Sequence, residues 1–206
     1  MKKTFLICLV LALGLLGYFW SRPASYKNFP PTAKGDWIAY GDSLTSGYGA
    51  ADGNDYPAVL SRTLGIPIRN FGVAGDTTEM GLKRVEEAAK IQPRVVLLCL
   101  GGNDGLQRMS SDEMFSNLRQ MIRVFHQSGS FVILIGVRSV SLLDSNHSGF
   151  KKLANEEKVL YVSNILDGVF GSPSLMSDQV HPNDAGYKAI AERLATVLSP
   201  ILPQLK

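Results

Sequence analysis

The chain has 206 residues, of which 45% are hydrophobic and 19% are charged, as expected for one globular domain with a sizeable core. Its formal net charge of +3 arises in the first 32 residues, which hold four of the 21 basic side chains and none of the 18 acidic ones. The remaining residues carry 17 basic and 18 acidic groups, so the charge balance gives no reason to expect a nucleic-acid-binding protein.

The N-terminal 20 residues have the pattern of an export signal. Lys2 and Lys3 precede seventeen uncharged, mostly apolar residues at 4–20. This length lies between a typical signal-peptide core and a membrane span of ~20 residues. Arg22 is unsuited to a small-residue cleavage site ending at Ala24, so two interpretations stay open: an uncleaved membrane anchor, or a signal peptide whose removal releases a soluble protein. Either one places the domain outside the cytoplasm.

Short apolar runs alternate with helical patterns along the rest of the chain. A Pro-containing linker is predicted at 21–34, followed by one domain at 35–206. The predicted strands are 37–40, 66–71, 94–100, 131–137 and 159–162. The predicted helices are 56–64, 80–91, 114–126, 150–158 and 182–198, with Pro182 opening the last one. This alternation predicts an α/β fold, in which helices cover both faces of a mostly parallel five-stranded sheet.

The cysteines and histidines predict neither a disulfide nor a metal centre. Cys8 lies in the leader and Cys99 in an apolar run, which leaves the domain without a pair for an internal disulfide. The three histidines lack the paired spacing of zinc ligands. We therefore expect no metal site.

Four short polar segments occur in a fixed order beside the predicted strands and helices. They are GDSL at 41–44, NFGVAGDTT at 70–78, GGND at 101–104 and D-x-x-H at 178–181. Ligands of parallel sheets bind beyond the carboxyl ends of the strands. Ser43, Gly75 and Asn103 each follow a predicted strand, and His181 directly precedes the last helix. The topology therefore predicts that the four segments meet at one edge of the sheet.

The residue types in these segments suit serine acyl transfer. A serine hydroxyl such as that of Ser43 is a weak nucleophile that needs an adjacent base, which His181 can supply. Asp178 can hold the imidazole tautomer and stabilise the imidazolium. A backbone N–H at Gly75 and the side-chain amide of Asn103 are suitable donors to a developing oxyanion.

Each segment also has a structural interpretation. Ser43 could be an ordinary turn residue, and Asp178 and His181 could cap the last helix. Gly75 could merely provide a positive φ angle, and Asn103 could belong to a tight turn. The joint occurrence of the segments, in order and at strand ends, favours an enzyme.

Together the four segments resemble the motif blocks of the SGNH/GDSL hydrolase family, over about residues 36–198. The runs GDSLTSGYG, AGDTT and LGGNDGL are similar to the bacterial periplasmic thioesterase/lysophospholipase and arylesterase enzymes of that family. The resemblance implies a flavodoxin-like, three-layer α/β/α sandwich. It also implies a serine esterase that hydrolyses acyl esters or thioesters through an acyl-enzyme, with no metal or organic cofactor.

The same resemblance assigns expected roles to individual residues. Ser43 is expected to be the nucleophile, and Asp178 and His181 to complete a catalytic triad. The backbone amide of Ser43 is expected to form an oxyanion hole together with Gly75 and Asn103.

Three loop stretches, 106–111, 139–149 and 166–177, are expected to rim the site. Their apolar residues predict an acyl-binding surface, formed by Leu106, Leu142, Leu143, Leu175 and Met176. Such a surface favours small-molecule acyl esters, thioesters or lysophospholipids over polysaccharide acetyl groups. A membrane tether at 4–20 would place the site near lipid, which also favours lysophospholipid. The alternative is that several of these side chains simply pack their loops.

Other functions fit the sequence less well. No serine stands in the G-x-S-x-G pattern of α/β-hydrolases, and no phosphate-binding glycine motif follows the first strand. A non-catalytic carbohydrate- or ligand-binding domain on the same fold would predict a lost Ser, His or Asn, and none is lost. A carbohydrate acetylesterase is a further alternative.

Overall fold

The computed structural model describes residues 26–137 and 146–206. The predicted leader at 1–20 lies outside the described residues, as do the start of the predicted linker and the candidate rim residues Leu142 and Leu143. Within the described parts of the chain, no helix has the length and apolar character needed to cross a membrane.

Five strands form one sheet in the order β2-β1-β3-β4-β5, and every pairing is parallel. The strands are β1 Trp37–Gly41, β2 Ile68–Gly72, β3 Val95–Cys99, β4 Phe131–Ile135 and β5 Leu160–Val162. The three central strands are buried at every position, because their apolar runs are covered on both faces. The predicted parallel α/β sheet is confirmed.

Helices cover both faces of the sheet. They are α1 Ser43–Ser46, α2 Tyr56–Leu64, α3 Thr78–Ala89, α4 Gly102–Leu106, α5 Ser111–Gln127, α6 Asn146–Glu157, α7 Asp184–Leu198 and α8 Leu202–Leu205. Successive side chains of β1 point to opposite faces. Trp37 and Ala39 join a core cluster with α2 and α7, whereas Ile38 and Tyr40 join a second cluster with α3, α5 and α6. The two clusters make the predicted three-layer α/β/α sandwich.

The boundaries differ from the sequence prediction near the site. The single-turn helices α1 and α4 were not predicted, because four or five residues are too few to show a helical period. The last helix begins at Asp184, not at Pro182. Asn183 caps it by accepting a hydrogen bond from the Gly186 amide at 3.1 Å, and Pro182 instead pairs in an isolated bridge with Met176.

The described part of the predicted linker, 26–34, packs against the sheet. The side-chain amide of Asn28 donates to the carbonyl oxygens of His126, at the end of α5, and of Ser130, directly before β4, at 2.9 and 3.0 Å. The rings of Tyr26 and Phe29 pack on Phe131, the first residue of β4, with centroids 5.9 and 5.2 Å away. Residues 26–34 therefore cover the amino ends of the strands, because their aromatic rings find apolar contacts there, and the linker boundaries 21–34 stay a prediction.

Candidate active site

Ser43 lies directly beyond the carboxyl end of β1. A Cβ atom at Gly41 would stand 2.1 Å from Thr45 Oγ1, so only glycine lets the chain turn this sharply. The Asp42 carboxylate caps α1 by accepting a hydrogen bond from the Leu44 amide at 3.0 Å. Ser43 is consequently the first residue of a helix, where backbone N–H groups have no partner within the helix.

The structure brings Ser43, His181 and Asp178 into one hydrogen-bonded chain. His181 Nε2 lies 3.0 Å from Ser43 Oγ, although 138 residues separate them. The other ring nitrogen, Nδ1, lies 2.8 Å from Asp178 Oδ2. Asp178 Oδ1 accepts hydrogen bonds from the amides of Val180 and His181, both at 2.7 Å. This geometry allows proton transfer from the serine hydroxyl to the imidazole.

Hydrogen bonding stabilises the ionised form of the Asp178 carboxyl group. Burial alone would raise the pKa of Asp178, but hydrogen bonds from the His181 side chain and from the His181 and Val180 amides lower that pKa to about 2. An ionised carboxylate favours the neutral imidazole tautomer with its proton on Nδ1. That tautomer leaves Nε2 as the hydrogen-bond acceptor facing Ser43.

A second group of contacts, which the sequence analysis missed, holds His181 in place. The Tyr48 ring packs on the imidazole with centroids 4.6 Å apart. Asp184, the first residue of α7, accepts hydrogen bonds from the Ala51 amide and the Asn54 side chain, both at 2.8 Å. These contacts join the loop that follows Ser43 to the start of the helix that follows His181.

Asn103 lies beside the same cleft and bonds to the loop that contains Gly75. The Asn103 side-chain amide donates to the carbonyl oxygen of Asp76 at 2.9 Å, and Asn103 lines the cleft that contains Ser43. Gly75 is exposed and has a φ angle of +88°, which favours glycine whatever else this residue does. The loops that follow β2 and β3 therefore meet next to Ser43.

Arg84 connects three parts of this region and was not singled out from the sequence. Its guanidinium donates to Asp76 Oδ2 at 2.7 Å and to the carbonyl oxygens of Phe71 and Gly41, each at 2.9 Å. It also stacks on the Tyr40 ring, 4.0 Å from the centroid. One side chain on α3 thus holds the ends of β1 and β2 and the loop that contains Gly75.

The two other aspartates of the polar segments stabilise loops. Asp104 accepts hydrogen bonds from the Thr78 amide at 2.9 Å and from the Thr78 hydroxyl at 2.5 Å, which ties the GGND turn to the start of α3. Burial of Asp42 raises the pKa of its carboxyl to about 7, against the opposing effect of the Leu44 amide. The residue directly before Ser43 therefore carries a buried carboxyl group.

A narrow, largely apolar cleft opens beside Ser43. Its apolar lining consists of Leu44, Leu106, Val137, Leu166, Phe170 and Val180. Of the predicted rim residues, Leu106 lines this cleft, whereas Leu175 and Met176 pack against the core cluster beside α7. Leu175 lies there because its carbonyl oxygen accepts a hydrogen bond from the Asn183 amide at 3.0 Å. The missed lining residues Leu44 and Val137 could have been found from the sequence, because each closely follows the carboxyl end of a strand.

Comparisons with known proteins point to one family. Residues 39–189 match the model of the GDSL-like Lipase/Acylhydrolase family. The chain is 30% identical over 187 residues to the "Thioesterase 1/protease 1/lysophospholipase L1" of Escherichia coli (strain K12), covering 85% of this chain and 88% of that protein. It is also 30% identical over 173 residues to the arylesterase of Vibrio mimicus, covering 78% of this chain and 86% of that protein.

A solved structure agrees with these sequence matches. The crystal structure of TesA superposes with a TM-score of 0.72 at 28% sequence identity, covering 81% of this chain and 99% of that one.

Proposed function

This chain belongs to the GDSL-like lipase/acylhydrolase family and is a carboxylic ester hydrolase, and from that premise we propose that Ser43, His181 and Asp178 form its catalytic triad. The observation that carries the proposal is the unbroken hydrogen-bonded chain from Ser43 Oγ through the His181 ring to Asp178, with distances of 3.0 and 2.8 Å. A serine, a base and an orienting carboxylate in this arrangement define an activated nucleophile.

In the acylation step, Ser43 Oγ attacks the carbonyl carbon of the ester while His181 Nε2 accepts the serine proton. The tetrahedral intermediate then collapses, and the imidazolium donates that proton to the leaving alcohol or thiol. In the deacylation step, His181 takes a proton from a water molecule that attacks the acyl-enzyme, and returns it to Ser43. Asp178 stays ionised throughout and stabilises the imidazolium.

Three donors would stabilise the oxyanion of the intermediate: the amides of Ser43 and Gly75 and the side chain of Asn103. The Asn103 amide has two N–H groups, and only one is needed for its bond to the Asp76 carbonyl at 2.9 Å. The second N–H is then free to serve the oxyanion. Holding the donors in position before reaction avoids reorganisation in the transition state.

The substrates we propose are small-molecule acyl esters, including thioesters and lysophospholipids. The apolar cleft beside Ser43 supports an acyl group there. The names of the relatives from Escherichia coli and Vibrio mimicus include thioesterase, lysophospholipase and arylesterase, which supports this range.

Export to the periplasm is also a proposal, supported by Lys2, Lys3 and the apolar run at 4–20.

The packing of residues 26–34 on the sheet changes the expected direction in which the active site faces relative to a membrane anchor. Only five residues separate the leader from that segment, and five residues span at most ~18 Å. An anchored leader would therefore lie at the amino edge of the sheet, and Ser43 would face away from that membrane.

The test compares the full chain with Ser43→Ala on p-nitrophenyl esters of increasing acyl length, with palmitoyl-CoA and lysophosphatidylcholine in parallel. Loss of the nucleophile should lower kcat by ~10⁴-fold or more. The free energy of unfolding should change by less than about 1 kcal/mol, because one small polar group is removed. Ser46→Ala, on the same turn, is the matched control and should keep its activity. Substantial turnover by Ser43→Ala would remove Ser43 from the mechanism.

A further inference from the structure

The exposed large hydrophobic side chains of the described residues all lie at one edge of the sheet. They are 45–56% exposed and comprise Tyr48, Val73, Met80, Leu106 and Phe170. Four of them lie in a loop or first helical turn that follows the carboxyl end of a strand, and Leu106 ends the short helix α4, which follows β3. Single exposed hydrophobic residues are normally scattered over a protein surface, whereas grouped ones mark an interaction site. We call these five residues the apolar rim.

Part of the apolar rim belongs directly to the candidate active site. Tyr48 packs on the His181 ring, with centroids 4.6 Å apart. Leu106 and Phe170 line the cleft beside Ser43. These three side chains continue the apolar lining of the cleft outward to the protein surface.

Val73 and Met80 extend the apolar rim beyond the residues that line the cleft. The Val73 amide donates to the carbonyl oxygen of Gly41 at 3.0 Å, which places Val73 beside the end of β1. Met80 lies in the first turn of α3, capped by Thr77. Neither side chain lines the cleft, so an acyl group bound there leaves both exposed. A partner that contacts both side chains must therefore extend beyond the cleft.

The charge of this edge indicates which kind of surface it can approach. The segments 42–55, 73–80, 100–113 and 163–184 contain eleven Asp and Glu residues, of which Asp42, Asp76 and Asp104 are buried, and a single basic residue, Arg108. Anionic lipids attract basic protein surfaces and repel acidic ones. A zwitterionic lipid surface carries no net charge, so it matches an apolar rim set among carboxylates.

We propose that the apolar rim docks the candidate active site onto the surface of a zwitterionic lipid aggregate, a micelle or bilayer of lipids with choline or ethanolamine head groups. Docking allows acyl esters to enter the active site from that aggregate. This consequence rests on the proposed function. The N-terminal chain before residue 26 joins the fold at Tyr26, on the opposite edge of the sheet. The apolar rim is thus directed away from the point where the leader joins the domain.

A binding test that needs no turnover uses full-length Ser43→Ala and hydroxyl-radical oxidation of Met80. Phosphatidylcholine vesicles should lower the rate of Met80 oxidation severalfold, because docking shields the side chain from solvent. Phosphatidylglycerol vesicles are the matched control: in both cases a leader held in one bilayer leaves the apolar rim facing other vesicles, and the acidic edge is repelled from the anionic ones. Equal oxidation of Met80 with and without phosphatidylcholine vesicles would overturn the proposal.

A kinetic test uses the full chain carrying both Val73→Ser and Met80→Ser. The measured quantity is kcat/KM on micellar lysophosphatidylcholine divided by kcat/KM on monomeric p-nitrophenyl acetate. Removing two half-exposed apolar contacts should lower this ratio about tenfold. Gln107→Ser, which alters an exposed uncharged neighbour of Leu106, should leave the ratio unchanged.

The two tests separate the possible failures. An unchanged ratio in the double variant would refute docking through the apolar rim. If instead p-nitrophenyl acetate were hydrolysed without dependence on Ser43, the proposed function would fail, and protection of Met80 would still support docking.

Discussion

At the carboxyl edge of the sheet, the strands end in glycine-containing turns that expose polar and apolar side chains, whereas at the amino edge the strand ends are covered. Residues 26–34 pack there on Phe131, and Arg94 donates to the Leu205 carbonyl oxygen at 2.7 Å, which brings the C-terminus to the same edge. Gly75 and Gly101 at the open edge have positive φ angles. One edge is thus closed by packing, and the other keeps the groups that a substrate must reach.

Two arginines show the same contrast at the level of single side chains. Arg84 joins three chain segments at the open edge, and one of its partners is the Asp76 carboxylate. Arg94 also joins chain segments, but its partners at the closed edge are backbone carbonyl oxygens, including that of Ala33 at 3.3 Å. We therefore expect the hydrogen bonds of Arg94 to contribute to stability alone, and those of Arg84 to contribute to both stability and catalysis.

At the open edge, Asn103→Ala should lower kcat more than any other change except Ser43→Ala. Removal of an oxyanion donor should lower kcat by ~10²–10³-fold and change KM much less, because the donor acts mainly in the transition state. Steady-state kinetics on a p-nitrophenyl ester measure both constants. Asn117→Ala is the matched control, since Asn117 bonds Thr78 at 3.3 Å outside the cleft. A rise in KM alone would contradict the role of Asn103.

Replacing each arginine by methionine tests the contrast directly. Arg84→Met should lower the free energy of unfolding by about 3 kcal/mol, because it leaves the buried Asp76 carboxylate without its cation. It should also lower kcat, because the loop that contains Gly75 loses its support. Arg94→Met should lower the free energy of unfolding by about 1–2 kcal/mol through lost hydrogen bonds, with kcat unchanged. Denaturant unfolding and kinetics on the folded variants measure these effects. Equal losses of kcat would show that the two edges do not differ in this way.

Replacing His126, in the last turn of α5 at the closed edge, should have the smallest effect at neutral pH, because its contribution to stability changes only as the pH falls. Neither ring nitrogen has a hydrogen-bond partner among the described residues. Burial, with a lesser effect of Lys27, lowers the pKa of His126 from 6.5 to about 4, while Glu157 opposes the shift. The unfolded chain therefore binds the histidine proton at a higher pH than the folded chain does.

The stability that depends on neutral His126 is thus fully present above about pH 6.5 and is lost as the pH falls towards 4. The loss should approach about 3 kcal/mol. His126→Leu should flatten this part of the pH–stability curve and leave ester hydrolysis at neutral pH unchanged. Thermal unfolding of both proteins between pH 4 and 8 makes the comparison. The same acid-induced loss in the variant would exclude His126 as its source.

Much of the fold was predictable because its signals are local. The buried runs at 94–100 and 131–137 indicated strands, and the amphipathic pattern at 114–126 indicated a helix. Nothing local shows that Tyr26 and Phe29, inside the predicted linker, pack on a strand about a hundred residues later.

The sequence by itself determined the alternation of strands and helices, the residue types of the four polar segments, and the family resemblance they carry. Only the tertiary structure decided that Ser43 Oγ lies 3.0 Å from His181 Nε2, that Arg84 joins the ends of two strands, and that the apolar rim gathers at one edge. The physical reason is the range of the interactions. Strand and helix periods arise between near neighbours, whereas these contacts depend on the packing of segments tens to more than a hundred residues apart.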